Sequence, residues 1–196
     1  MKKKSNPIRV IIVFAVFVLA CVGAFFYLSN RTEDEPVEDN SKTMSVVQEL
    51  LSRNLETNYP PTPKEVLKYY SEISRCFYGE KYTEEELKKL AIKSRELFDQ
   101  ELIDNQTEEE FLAALVLEIE TYKNANRVIS SYSVSASTDV NEYSYGGREW
   151  AQLYCIYSLR EGTTIIPVQE RFLMRKDEKG HWKILGWELV SKEEEE

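Results

Sequence analysis

The spacing of apolar and polar residues divides the chain into segments of different character. Residues 10–28 are apolar and uncharged, residues 29–43 are acidic and irregular, and residues 44–191 have regularly spaced apolar side chains. A basic tail, residues 1–9, and an acidic tail, residues 192–196, lie at the two ends. Regular spacing is typical of packed helices and strands, so we predict one folded domain that follows a flexible linker.

Residues 10–28 have the length and character of a transmembrane helix. Nineteen residues make about 28 Å of helix, close to the roughly 30 Å hydrocarbon core of a bilayer. Four positive charges precede the run, whereas residues 31–40 carry one positive and five negative charges. Since positive charges stay on the cytoplasmic side, we predict a single-pass anchor in the cell membrane, with the N-terminus in the cytoplasm and the C-terminal domain outside.

Two other interpretations of the apolar run compete with the anchor. A cleaved signal peptide has an apolar run of about 7–15 residues followed by small residues, but this run is longer and ends in bulky side chains, Phe25 to Leu28. Alternatively, Val18 to Cys21 resembles the lipidation motif of bacterial lipoproteins, with Cys21 as the lipidated residue. The chain stays apolar after Cys21, which favours the transmembrane anchor.

The first half of the domain has the period of α-helices. Residues 44–56 place four aliphatic side chains on one helical face. Three further helices are predicted because a Thr-x-x-Glu sequence precedes each apolar stripe, and such a capping box satisfies backbone N–H groups at a helix start. The three boxes are Thr62-Pro63-Lys64-Glu65, Thr83-Glu84-Glu85-Glu86 and Thr107-Glu108-Glu109-Glu110.

From Arg127 onward the apolar spacing changes to the two-residue period of β-strands. Turns are predicted at Glu161-Gly162 and around Gly180, which gives four consecutive antiparallel strands, the last from His181 to Leu189. Helices followed by a four-strand antiparallel sheet predict an α+β fold in which the helices cover one face of the sheet.

Composition excludes several classes of function. The net charge is −9, from 25 Lys and Arg against 34 Asp and Glu, whereas a nucleic-acid partner needs a basic surface. One histidine, His181, and three cysteines are too few for zinc sites built from paired histidines or Cys–His clusters. We therefore predict no metal and no cofactor, assign no catalytic residue, and favour a protein that is not an enzyme.

The two cysteines outside the apolar run are Cys76 and Cys155. An oxidising compartment would allow a bridge between them. We favour two buried free thiols, because Cys155 lies on the predicted core face, where a reduced cysteine packs as a small apolar group. His181 follows a predicted turn, where a histidine is usually solvated.

Glu170 is the strongest candidate for a ligand-binding residue. The predicted turn places it opposite Leu153 on the apolar face of the sheet, where a carboxyl group has a raised pKa and can act as a base or hold a ligand. Tyr157 and Trp182 are predicted to complete this small-ligand site. The alternatives are a strand bulge that turns Glu170 outward or an ion pair with an arginine.

Four large apolar residues are predicted on the opposite face of the sheet, among polar side chains. Clustered aromatic residues on a polar face indicate a surface for a protein partner or for self-association. Alternatively, the helix of residues 44–56 covers them. The four residues are Trp150, Tyr154, Leu185 and Trp187.

Three features resemble the nuclear transport factor two-like fold. They are Thr62-Pro63-Lys64-Glu65-Val66 with Tyr69 and Tyr70, the long meander of strands, and Gly180-His181-Trp182-Lys183-Ile184. The resemblance covers residues 60–190 and implies a cystatin-like α+β cone, a curved sheet closed by helices. Proteins of this fold include small isomerases and dehydratases, ligand carriers and assembly modules, some of them membrane-anchored in type IV secretion machines. The whole layout is also similar to an uncharacterised family of membrane-anchored Gram-positive proteins.

These patterns predict a membrane-tethered extracytoplasmic module for binding or assembly, held in the membrane by residues 10–28. The alternative is a small-ligand pocket protein, or a minor isomerase or hydrolase of the same fold, that uses Glu170 in the cone. A filled cone favours the module, whereas a cavity of roughly 300 Å³ or more with Glu170 in its wall favours the pocket.

Overall fold

A computed structural model describes residues 44–190, and helices come first along this part of the chain. The helical half contains α1, which is shorter than the predicted residues 44–56, and a short α4 that the sequence pattern did not indicate because none of its residues is buried. The helices are α1 (Val46–Ser52), α2 (Pro63–Gly79), α3 (Glu84–Arg95), α4 (Gln100–Asp104) and α5 (Glu108–Asn124).

An antiparallel sheet follows the helices and confirms the predicted α+β class. The strands run in the order β1-β3-β4-β5, and β2 pairs with β3 on the same side as β1. The sheet therefore has five strands, not the four predicted, because β2 and β3 form an additional hairpin at Gly146-Gly147 that the sequence analysis did not identify. The strands are β1 (Arg127–Val134), β2 (Asn141–Tyr145), β3 (Arg148–Glu161), β4 (Thr164–Lys176) and β5 (Trp182–Leu189).

Two of the three predicted capping boxes form, and at α2 only the threonine half of the box is present. At Thr83 and at Thr107 both bonds of the box are present: the threonine oxygen accepts the third backbone N–H, and the glutamate accepts the threonine N–H. At α2, Thr62 accepts the Glu65 N–H at 3.2 Å, and Pro63 occupies the first helical position. These side chains satisfy backbone donors that a helix start leaves unpaired.

The hairpin between β3 and β4 turns one residue later than predicted. Gly162, with φ of 59°, takes the first position of a two-residue turn, where glycine is preferred. Leu153 therefore lies opposite Phe172 and not Glu170. The pairing shifts by two residues, and since successive side chains alternate between faces, each strand keeps its predicted buried face.

The helices pack on one face of the curved sheet, here called the inner face, and a short segment closes one edge of the sheet. The Ile184 N–H donates to the Leu97 carbonyl and the Asp99 N–H donates to the Ile184 carbonyl, both at 2.8 Å. The outer edge of β5 is therefore paired at Ile184. The largest fully buried side chains include Leu67, Ile73, Leu90, Leu97, Leu153, Phe172, Met174 and Ile184.

The predicted membrane segment lies outside the described residues. This holds for residues 10–28 with Cys21, for the linker of residues 29–43 and for both tails. Within residues 44–190, no helix has both the length and the apolar character that crossing a bilayer requires.

Candidate functional site

Glu170 lies on the inner face of the sheet, as the sequence pattern predicts. Its neighbours on the adjacent strands are Cys155 and Leu189, not the predicted Leu153 and Gly186. Burial raises the pKa of Glu170 to about 7, and the negative charge of Glu118 on α5 adds to the shift. The carboxyl group therefore changes its charge near neutral pH.

Two tyrosines, Tyr70 and Tyr122, lie close enough to this carboxyl group for its charge to add to the effect of burial on their pKa. Burial raises the pKa of Tyr70 on α2, and the charge of Glu170 raises it further. The rings of Tyr78 and Tyr122 stack at 4.2 Å near Glu118, which accepts a hydrogen bond from Tyr78. Among the described residues, no lysine or arginine forms an ion pair with Glu170. The group is an acid without a cationic partner, next to aromatic rings.

The other two residues of the predicted ligand site lie in the core between the helices and the inner face of the sheet. Tyr157, Phe172 and Trp182 are 5%, 0% and 3% exposed. The Tyr157 hydroxyl shares a 2.9 Å hydrogen bond with Ser71, whose oxygen lies 3.6 Å from the Cys155 sulfur. Tyr157 and Trp182, predicted to bind a ligand with Glu170, are thus core residues whose side chains a ligand cannot reach in this conformation.

Trp187 lies on the inner face, so its predicted position on the opposite face is wrong. Leu173 pairs with Gly186 but Met174 pairs with Ile184, so Leu185 is an extra residue in β5. Such a bulge reverses the alternation of side chains beyond it. Trp187 therefore faces Phe172. Its ring lies 5.7 Å from Tyr70, 5.9 Å from Phe98 and 5.8 Å from Phe172, measured between centroids.

The opposite face of the sheet, here called the outer face, carries the other predicted aromatic residues. Trp150 and Tyr154 are half-buried, and Ile156, next in the same row of β3, is 41% exposed. The Arg175 guanidinium lies 5.3 Å from the centre of the Trp150 ring. Leu185 borders a shallow hollow of about 430 Å³ on this face. The outer face thus combines apolar surface with polar neighbours.

The helix proposed as a cover for this face lies elsewhere. Val47 and Leu50 of α1 are buried in the core that the helices form with the inner face. The Tyr69 hydroxyl on α2 donates to the Leu50 carbonyl at 2.7 Å. The α1 side chains therefore pack among the helices and leave the aromatic residues of the outer face uncovered by this element.

Sequence reasoning missed a charged cleft of about 1350 Å³ between α4 and the β2–β3 and β4–β5 hairpins. At its base Arg175 donates to Asp99 at 2.6 and 3.1 Å and to Glu101 at 3.1 Å. Lys183 donates to the Glu96 carbonyl at 2.6 Å. Nothing local in the sequence indicates that Asp99 and Arg175 meet. Because these charges are matched within the protein, we interpret them as structural.

The remaining candidate residues have structural surroundings. His181 is half-buried, not fully solvated, and stacks on Tyr59 with ring centroids 4.2 Å apart. Cys76 and Cys155 are free and buried, and burial raises the pKa of the Cys76 thiol to about 11, which disfavours a nucleophilic thiolate. Among residues 44–190 there is no group of three side chains suited to hold a metal ion.

Glu170→Gln is expected to stabilise the domain by about 1–2 kcal/mol at pH 8 and to leave it nearly unchanged at pH 4. Since the pKa of Glu170 is higher in the folded than in the unfolded chain, wild-type stability falls as the pH rises from about 4.5 to about 7. Partial solvation limits the size of the effect. Urea denaturation at both pH values measures it, with Glu120→Gln, an exposed position on α5, as control. An equal effect at both pH values contradicts the prediction.

Comparison with known proteins places this chain beside an uncharacterised group. A family model described as "Domain of unknown function (DUF6715)" matches residues 1–187, which is nearly the whole chain. No curated protein matches it. The match includes the apolar run and the linker as well as the folded domain.

Proposed function

The chain belongs to the DUF6715 family, and we propose that it is a membrane-tethered extracytoplasmic module that binds a protein partner through the outer face of its sheet. Residues 10–28 form the anchor in this proposal, and the acidic residues 29–43 form the tether. The binding surface is centred on Trp150, Tyr154 and Ile156. The chain acts by holding its partner at the membrane and performs no reaction.

The observation that carries this proposal is the contrast between the two faces of the sheet. On the inner face, Tyr157, Phe172 and Trp182 are buried in the core. On the outer face, Ile156 is exposed, and Trp150 and Tyr154 are only half-buried. Tryptophan and tyrosine are enriched where proteins bind one another, because they combine a large apolar surface with polar groups.

We also propose that the domain is of the nuclear transport factor two-like class. The support is the order of elements, helices first and then a long antiparallel meander, together with packing of α2 and α5 on the inner face of the curved sheet. This is an analogy at the level of the fold. It is consistent with an assembly module, since such modules are among the functions that the fold hosts.

A two-step labelling experiment in intact cells tests the proposal. The full chain carries Cys21→Ala and Ile156→Cys, and native Cys76 and Cys155 are buried. A membrane-impermeant maleimide that carries a photoreactive group is added to the cells before lysis. The cells are then irradiated to activate this group. We expect Ile156→Cys to be labelled from outside and to give a discrete adduct of higher mass. Retention of this chain in the membrane favours the transmembrane anchor over lipidation at Cys21.

Leu117→Cys is the matched control, because Leu117 is an exposed aliphatic residue on α5. It is expected to be labelled equally and to give no adduct. Labelling of both positions only after permeabilisation would overturn the extracytoplasmic location. Equal labelling without an adduct from Ile156→Cys would overturn the binding surface.

The second candidate is a small-ligand site at the mouth of the cone. The observation in its favour is Glu170, a carboxyl group with no cationic partner among the described residues, near Tyr70 and the partly exposed Trp187. This function replaces the first if Ile156→Cys gives no adduct while native mass spectrometry of the full chain shows a small molecule that denaturation removes.

A further inference from the structure

The two edges of the sheet differ in a way that points to a second interaction surface. The edge at β5 is paired with Leu97–Asp99 at Ile184. Strand β2 has β3 on one side, and the described residues place no strand on its other side. All five of its residues are exposed, and none is a lysine or a proline, the residues with which proteins commonly protect an edge. We propose that β2 pairs antiparallel with β2 of a second copy of this chain.

The hairpin register fixes which backbone groups face the free edge. Gly146 and Gly147, with φ of 62° and 75°, form a two-residue turn, so Tyr145 and Arg148 are a hydrogen-bonded pair. Bonded and non-bonded pairs alternate in antiparallel strands. Tyr143 therefore also bonds to β3, whereas the N–H and C=O groups of Glu142 and Ser144 point away from the sheet.

A contact on the same side of β3 supports this assignment. The Ser135 N–H donates to the Tyr154 carbonyl at 2.9 Å. Even-numbered residues of β3 thus direct their backbone groups toward the side on which β1 and β2 lie. In the part of the chain that the structure describes, the backbone groups of Glu142 and Ser144 have no partner in another element. They are free to bond to an added strand.

One register suits two identical strands. With Tyr143 on the two-fold axis, Glu142 lies opposite Ser144 of the second copy, and four backbone hydrogen bonds form between groups that both point outward. Asn141 then lies opposite Tyr145, so all five residues pair. A register centred on Glu142 would place two carboxylates directly opposite one another, which is unfavourable.

The side chains of the Tyr143-centred register also match. Tyr143 lies opposite Trp150 within one copy, with ring centroids 6.4 Å apart and planes inclined by 10°. Placing Tyr143 beside Tyr143 of the second copy extends this pair into a row of four aromatic rings on the outer face. Neighbouring aromatic residues on adjacent strands stabilise a sheet.

The pairing of one short strand is small against the about 1,200 Å² of surface that a stable protein interface buries. For its strength the pairing therefore rests on the proposed membrane attachment, which raises the local concentration of the chain. It leaves the outer face accessible. Each pair of chains would present two such faces in one continuous sheet, so a partner that is itself paired would bind with a bivalent advantage.

Disulfide trapping in membranes tests the pairing. In the full chain with Cys21→Ala, the variant Tyr143→Cys places two thiols at a non-hydrogen-bonded pair, where Cα atoms lie about 4.5 Å apart, within reach of a disulfide. We expect mild oxidation to give a covalent dimer. Tyr145→Cys is the control, since Tyr145 is 72% exposed against 40% for Tyr143. In this register the two Tyr145 positions of the paired copies lie about 14 Å apart. We expect at least tenfold less dimer from this control.

Two further variants fix the register and the edge. Chains with Asn141→Cys and chains with Tyr145→Cys are expected to form a mixed dimer when combined. Ser144→Pro removes an N–H that points outward and leaves the bonds to β3 intact, so it should reduce the Tyr143→Cys dimer at least tenfold. Ser144→Pro should still give the Ile156→Cys adduct, because a single chain keeps its own outer face, and this separates the pairing from the proposed binding function.

Three results would overturn the proposal. They are no dimer from Tyr143→Cys, equal dimer from Tyr145→Cys, or a dimer that persists with Ser144→Pro. A disulfide between Tyr143→Cys and a different protein would assign the edge to a foreign strand and would equally overturn it. Failure of the Ile156→Cys adduct with a positive trapping pattern would leave the pairing intact and remove only the proposed partner surface.

Discussion

Asp99→Asn is expected to lower the free energy of unfolding by about 3–5 kcal/mol at neutral pH. Asp99 accepts two hydrogen bonds from Arg175, at 2.6 and 3.1 Å, and the two side chains are only 7% and 12% exposed. Removing the carboxylate leaves the largely buried Arg175 guanidinium with only the exposed Glu101 as an anionic partner, and breaking a buried ion pair is strongly destabilising. Asparagine keeps the size of the side chain and an oxygen for the Glu101 N–H. Urea denaturation of the two chains measures the loss.

Glu101→Gln is the matched control. Glu101 also accepts a bond from Arg175, at 3.1 Å, but its side chain is largely exposed. Exposed ion pairs contribute little, so the loss should stay below about 1 kcal/mol. A loss as large as that from Asp99→Asn would show that the buried pair is not the source of the stability.

The effect of Asp99→Asn should also depend on pH. Burial opposes ionisation of Asp99, but hydrogen bonds from Arg175 and from the Glu101 N–H outweigh it and lower the pKa of the carboxyl group. The stability from this group is therefore fully present above the unfolded pKa of about 3.9 and is lost as the pH falls through the lower folded pKa. The difference between wild type and variant should shrink in strong acid.

Phe172→Ala is expected to cost about 3–5 kcal/mol, because removing a large ring from a closed core leaves a cavity. Phe172 is fully buried, and its ring contacts Tyr70 and Trp187 at centroid distances of 5.9 and 5.8 Å. The shift of the urea midpoint measures the loss. Tryptophan fluorescence should change as well, since Trp187 stacks on this ring.

Phe172→Leu is the comparison that isolates the cavity. It keeps an apolar side chain of similar volume, so the loss should stay below about 1.5 kcal/mol. If alanine and leucine are tolerated equally, the inner face is not closely packed at this position. That result would favour room for a ligand between the helices and the inner face of the sheet.

Local chemistry explains what the sequence predicted correctly. The starts of the long helices were predictable because Thr83 and Thr107 satisfy the backbone within four residues of chain. The inner position of Glu170 was predictable because strand faces alternate with a period of two. The predicted turn was one residue too early, but the assignment is still correct. An error of one residue in the turn shifts the strand pairing by two residues, so each side chain stays on its predicted face.

Some features were missed although the sequence marks them, and others have no local signal. The bulge at Leu185 adjoins Gly186, and a glycine inside a strand often marks a bulge, which here moves Trp187 to the inner face. Strand β2 alternates two tyrosines with polar residues directly before the two-residue turn Gly146-Gly147. The pair of Asp99 and Arg175 depends on elements far apart in the chain. Tyr157 and Trp182 were correctly placed inside, but only packing density decides whether an inner side chain lines a cavity or fills it.

The pairing of Leu97–Asp99 with β5 joins parts of the chain that are synthesised at different times. The helices emerge first, and the strand that completes their layer, Trp182–Leu189, emerges last. Until then Leu97 and the inner side of α2 lack their partners, so the domain cannot close cooperatively while the chain is still being made. A chain that ends before Ile184 would leave this early segment unpaired. The arrival of β5 thus decides when the helical layer can close, and its loss would expose apolar side chains of both layers.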